Sequence, residues 1–155
     1  MDLILWRHAE AEPGDPGTPD AARALTAKGR KQAARMGEWL DRALPGSCRV
    51  LSSPAVRTVQ TVQALERKFK THVSLAPGAS AAAILEAARW PNAGDPVLVV
   101  GHQPALGQVA SFLLAGVEQD WPLRKGAILW IAQKDTGAGL VPYIRAALGP
   151  DMTGR

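Results

Sequence analysis

Residues 3–12 read LILWRHAEAE and residues 97–104 read VLVVGHQP. In both, a short apolar run without alternation leads at once to a histidine. Runs of this kind are what strands buried on both faces of a parallel sheet look like. RVLSS at 49–53 is a weaker third. Between the runs the apolar period changes to that of helices. Residues 28–44 repeat Ala33, Met36, Gly37 and Leu40, and residues 54–69 repeat Val56, Val59, Val62 and Leu65. A third helical pattern, 79–90, is rich in alanine. A fourth, 104–116, opens with Pro104 at the first helical position and ends at Gly116.

This alternation of strand and helix predicts an α/β domain with a mostly parallel sheet. The late segments GAILWIA and LVPYIRAAL, separated by the turn-rich KDTGAG, predict two more strands as a hairpin or an antiparallel edge. EPGDPGTPD at 12–20 reads as an irregular loop directly after the first strand. With neither internal repeats nor an interdomain linker, the 155 residues are expected to form one domain, 1–155, and a monomer.

Composition narrows the class of function. Hydrophobic residues make up 46% and charged residues 21%, the balance of a soluble globular protein. Cys48 is the only cysteine, so no intramolecular disulfide can form and a reducing, cytoplasmic compartment is expected. The apolar run at 3–6 is too short for a signal peptide or a spanning helix, so no membrane association is expected. The net charge of +4 suits an acidic substrate. Nucleic acid is not expected, because the lysines and arginines are scattered among acids and lack interleaved aromatic residues.

Two of the three histidines stand just past apolar strands, His8 after LILW and His102 after VLVVG. In open α/β sheets ligands bind beyond the carboxyl ends of the strands, so groups distant in sequence can converge there. The third strand leads through Pro54 into a helix whose first turn carries Arg57. A crevice holding Arg7, Arg57, His8 and His102 suits a phosphoryl group, since each guanidinium donates paired hydrogen bonds and stays charged. Neutral imidazole is a competent nucleophile near pH 7. His8 is chosen as the attacking residue because it follows Arg7 on the rigid end of a strand. His102 then donates a hydrogen bond from a ring N–H to phosphate. No cofactor and no metal site are expected, because Glu10 and Glu12 near His8 lack a spaced set of partner ligands.

The motifs WRHAEAE, LTAKG, SSPAVRTVQT and VVGHQP, in this order over residues 3–104, resemble those of the histidine phosphatase superfamily, related to phosphoglycerate mutase. The short length and LTAKG are most similar to the SixA-type branch. The resemblance implies a phosphoglycerate mutase-like three-layer sandwich, with helices on both faces of a mostly parallel central sheet. It also implies His8 as the phosphorylated residue, Arg7 and Arg57 as phosphate ligands, and His102 as the second histidine. For the branch it implies removal of phosphate from phosphohistidine in a protein. Two departures stand out. Ala9 replaces the glycine usual after the Arg-His pair, and none of Glu10, Glu12, Asp15, Asp20 or Glu86 matches the family's proton-donating glutamate. A missing acid handicaps alkyl esters more than phosphohistidine, whose imidazole leaving group is readily protonated.

The alternatives are a broader phosphomonoesterase acting on small phosphate esters or nucleotides, and a noncatalytic module that holds a phosphorylated partner. Other conspicuous residues have structural readings. Ser52 and Ser53 read as helix caps, with Ser53 preferred. Arg23 reads equally as a surface ion pair or a phosphate contact, and His72 as an exposed residue without a role. Cys48 reads as a buried structural thiol. The five tryptophans read as core, with Trp90 or Trp121 at a rim.

Overall fold

The computed structural model describes residues 1–153. Its elements in chain order are β1 (Leu3–Arg7), α1 (Ala27–Ala43), β2 (Arg49–Ser52), α2 (Val56–Gln63), β3 (Lys70–Thr71), α3 (Ala81–Ala88), β4 (Val97–Gly101), α4 (Ala105–Ala115), β5 (Ile128–Asp135) and β6 (Leu140–Leu148). They form one six-stranded sheet in the order β3-β2-β4-β1-β5-β6. β3, β2, β4 and β1 run parallel, and β5 and β6 add an antiparallel hairpin beside β1. The fold is thus the α/β architecture expected, with helices on both faces.

Side chains alternate across the central strands, and each face carries its own core. On one face Leu3, Leu5, Val97 and Val99 pack with Ile84, Leu106 and Val109 from α3 and α4. On the other, Ile4, Trp6, Leu98 and Val100 pack with Met36, Leu40 and Val62 from α1 and α2. Burial on both faces explains why β1 and β4 read as unbroken apolar runs. Each fully buried aliphatic side chain contributes roughly 1.5–3 kcal/mol relative to exposure. Among the described residues no helix is long and apolar enough to cross a membrane.

Two glycines of α1 set how closely that helix approaches its neighbours. A Cβ on Gly37 would lie 2.5 Å from the Ala64 carbonyl oxygen, and one on Gly29 would lie 2.0 Å from that of Glu10. Gly29 therefore lets the start of α1 press against the chain just after β1. Thr26 caps the same end by accepting from the Gly29 N–H at 2.9 Å.

The structure shortens some expected elements. α2 stops at Gln63 instead of running to 69, because the chain turns at Glu66, whose φ is 57°, to bury Leu65 and bring Lys70–Thr71 beside β2. Arg67 fixes this turn with hydrogen bonds to Asp41, Leu44 and Pro45. α4 begins at Ala105, one residue after Pro104, and closes as expected on Gly116 at φ 78°. His72, expected to be exposed, is half-buried directly after the short strand β3. Cys48 is half-buried, and burial pushes its thiol up to about 11, consistent with an inert structural role.

Candidate active site

β2, β4 and β1 are neighbours and end at the same edge of the sheet, with Ser52 beside Val100 and Arg7 beside Gly101. The next residues continue the pairing. His8 N–H donates to the Gly101 carbonyl at 3.2 Å, and Ser53 N–H to the Val100 carbonyl at 3.0 Å. His102 follows the middle strand and is flanked by both. The His8 and His102 rings lie 5.4 Å apart at 55°. Arg57, in the first turn of α2, joins them, and all three side chains are buried. The structure thus brings together Arg7, His8, Arg57 and His102, which the sequence reading had grouped from strand ends alone.

His8 Nδ1 lies 2.7 Å from the carbonyl oxygen of Ala9. A carbonyl can only accept, so Nδ1 carries the proton and Nε2 keeps its lone pair. Ala9 is itself fixed, its N–H donating to Thr61 Oγ1 at 3.1 Å. It is not among the residues with positive φ, which accounts for alanine standing where the family usually has glycine. The position needs little space rather than a left-handed backbone.

The arginines are held by separate supports. Arg7 Nη1 donates to the Leu123 carbonyl at 2.8 Å. Arg57 closes both arms of its fork on Asp20, through Nη1 to the backbone oxygen at 2.9 Å and Nη2 to Oδ2 at 3.1 Å. Arg23 holds the other carboxylate oxygen at 3.0 Å and donates to the Glu12 carbonyl at 2.8 Å. Arg23 is thus an ion-pair residue that steadies the partner of Arg57. The Nε groups of Arg7 and Arg57 are buried without a protein partner.

Ser53 departs from the sequence reading. Ala55, not Ser53, occupies the residue before α2, and the Ser53 hydroxyl faces His102, 2.8 Å from Nε2. The same oxygen accepts from the Ala55 N–H at 3.2 Å. The available signal was position: Ser53 ends its strand at the level at which His8 and His102 end theirs. Four of the five carboxylates weighed as acids are engaged or remote, and Glu12 is exposed, with only its backbone oxygen accepting, from Arg23. Glu10 accepts from Thr26 Oγ1 at 2.7 Å, Asp15 closes its own turn on Gly17 and Thr18, and Glu86 is exposed on α3. The hydrogen bond from Arg57, chiefly, holds the Asp20 carboxyl below its usual range, so it stays ionised and is a poor proton donor.

Burial lowers both histidines. His8 falls to about 4, with Arg57 and Arg7 adding repulsion that its hydrogen bond to Ala9 partly offsets. His102 falls to about 3, with Arg57 the next cause. Both are neutral at pH 7, so the His102 ring carries a single N–H. Stability should follow. The unfolded chain takes up protons near the ordinary histidine value of about 6.5, whereas the folded state resists until about 4 and 3. Between these limits the unfolded state binds more protons, so the contribution is complete above pH 6.5 and declines as pH falls. The melting temperature should drop steadily from pH 7 to 4.5, and less steeply in His102→Asn. A flat profile in wild type would contradict neutral burial.

A family model described as the histidine phosphatase superfamily (branch 1) matches residues 3–81. A phosphohistidine phosphatase SixA homolog from Haemophilus influenzae is 30% identical over 128 residues, covering 73% of this chain and 77% of that protein. Solved structures of similar fold include the protein histidine phosphatase SixA complexed with tungstate, at TM-score 0.80 and 23% identity over 97% of this chain and 98% of the other. A phosphoserine phosphatase from Entamoeba histolytica, in complex with phosphoserine, aligns at TM-score 0.67 and 17% identity over 94% and 95%. At these identities the structural matches speak for the fold alone.

Proposed function

The chain belongs to the histidine phosphatase superfamily (branch 1), and from that premise we propose that it removes phosphate from phosphohistidine in a protein substrate through a covalent intermediate on His8. The observation that carries this reading is the hydrogen bond from His8 Nδ1 to the Ala9 carbonyl, which leaves Nε2 unprotonated in a buried ring. In the first step Nε2 attacks phosphorus as the P–N bond of the substrate breaks, and the departing imidazole takes a proton. In the second, water attacks the phosphorylated His8, releasing inorganic phosphate and restoring the imidazole.

Arg7 and Arg57 hold the nonbridging oxygens, where charge is spread through the transition state, and their unpartnered Nε groups give them donors to spare. His102 adds a neutral donor from the opposite ring. The substrate class follows from the acids. Glu10, Asp15 and Asp20 are committed to other partners and Glu12 is exposed on the loop, so none of the four is positioned by the fold as a buried acid for an alkoxide. A departing imidazole can instead take its proton from solvent. The relative at 30% identity points the same way, being a phosphohistidine phosphatase SixA homolog.

A substrate panel tests the reading. Turnover of a phosphohistidine peptide should exceed that of alkyl phosphate monoesters by about 10²-fold or more, the usual contribution of a positioned general acid. Alkyl esters turned over as fast as the peptide would overturn it.

A further inference from the structure

A groove of about 700 Å³ begins at Arg7 and runs between the start of α1 and the segment preceding β5, reaching the chain after β6. Its side chains include the cations Arg7, Lys28, Arg124 and Lys125, against the carboxylates Glu10 and Asp151. Lys28, Arg124 and Lys125 are exposed, and none of them is in an ion pair among the described residues. Glu10 already accepts from Thr26. The groove is therefore a positive surface whose charges are largely uncompensated.

The placement of these cations has no evident structural benefit. Lys28 lies in the first turn of α1, the positive end of the helix dipole, where acids are favoured and none is present. Yet its backbone is held firmly, since Gly29 abuts Glu10. The opposite wall is tied to the end of β1. Arg7 reaches the Leu123 carbonyl, Gly126 N–H donates to the His8 carbonyl at 2.9 Å, and Ala127 N–H closes a turn on the Arg124 carbonyl at 3.0 Å. Both walls are thus anchored to the strand that carries Arg7 and His8. Arg7 thus borders both the groove and the crevice that holds His8.

We propose that this groove binds acidic residues flanking the phosphorylated residue of the protein substrate, through Lys28, Arg124 and Lys125. The proposal rests on the phosphatase reading above and adds the charge of the sequence around the phosphorylated site. Such contacts act by attraction between exposed charges, which favours the right partner and weakens with salt.

Two phosphohistidine peptides of equal length, one flanked by Asp and Glu and the other by Asn and Gln, provide the test. Wild type should prefer the acidic peptide on the order of tenfold in kcat/KM at low ionic strength, the sum that three exposed ion pairs can supply. The preference should shrink in 0.5 M salt, as screening requires (about 0.5 M being well above the range where exposed charges act at a distance). In the variant Lys28→Glu/Arg124→Glu/Lys125→Glu it should reverse. Taking the ratio within one variant cancels any loss common to both peptides, including partial misfolding. Equal use of both peptides by wild type, or an unchanged ratio in the variant, would overturn the groove. If neither phosphohistidine peptide is hydrolysed, the same comparison is made with phosphoserine peptides. A charge preference there upholds the groove while the phosphohistidine reading fails.

Discussion

His8→Ala should lose phosphatase activity by roughly 10⁴-fold or more, the scale seen when the nucleophile of a covalent mechanism is removed. The reason is local. His8 Nδ1 is committed to Ala9, so only Nε2 can attack, and the other ring in the crevice has its Nε2 against Ser53. The Nδ1 of His102 is buried without a partner, so any residual activity in His8→Ala would report attack from that nitrogen. Wild type mixed with a phosphorus-labelled peptide and quenched should retain label that is lost in acid and stable in base, as expected of a phosphorylated imidazole. The label should be absent from His8→Ala and still form, more slowly, in His102→Ala. Label kept by the first variant and lost by the second would exchange the roles of the two histidines. Far-ultraviolet circular dichroism separates these outcomes from unfolding, which matters because both rings are buried.

Arg57→Ala should lower kcat/KM by about 10²–10³-fold, comparable with removing one preorganised donor to a developing oxyanion. Lysine should recover only part of the loss, because a point charge cannot reproduce a planar fork that spans the Asp20 backbone and carboxylate. A second readout distinguishes Arg57 from a residue that merely packs. Its charge lowers both histidines, so its removal should raise them and move the acid limb of the rate profile toward neutral pH. A drop in rate with no movement of that limb would mean that Arg57 acts through structure alone. Asp20, exposed apart from these contacts, should show a smaller effect when changed to Asn.

The parts of this architecture that could be read from sequence are those where one physical demand dominates. β1 and β4 are apolar on both faces because helices cover both faces, and that pattern has few alternatives. His8, Arg57 and His102 followed from it, since parallel neighbours end at one edge. The end of α2 was misread because Leu65 continues the helical period while the chain is already turning. A buried leucine satisfies either description. Ser53 was misread for a similar reason: a serine before proline is an ordinary helix start, and only the neighbouring strand shows which way its hydroxyl points. The Arg23–Asp20–Arg57 chain depends on the path of the loop at 12–20, whose prolines and glycines specify irregularity but not direction. The same loop carries three of the carboxylates weighed as acids, Glu12, Asp15 and Asp20, so sequence spacing could not assign their roles.

The central place of β1 also sets when the crevice can exist. Its Leu3 pairs with Val97 on one side and Ile131 on the other. A ribosome makes β1 long before either neighbour, and a lone strand with unsatisfied backbone groups on both edges does not hold its shape. Arg7 and His8 are therefore translated early but acquire their geometry late, after β4 and β5 have emerged. Such distant pairings slow folding relative to local ones and leave the apolar 3–6 segment waiting unpaired. The β1 half of the crevice thus stays exposed to nascent-chain quality control until the strands on both its sides are made.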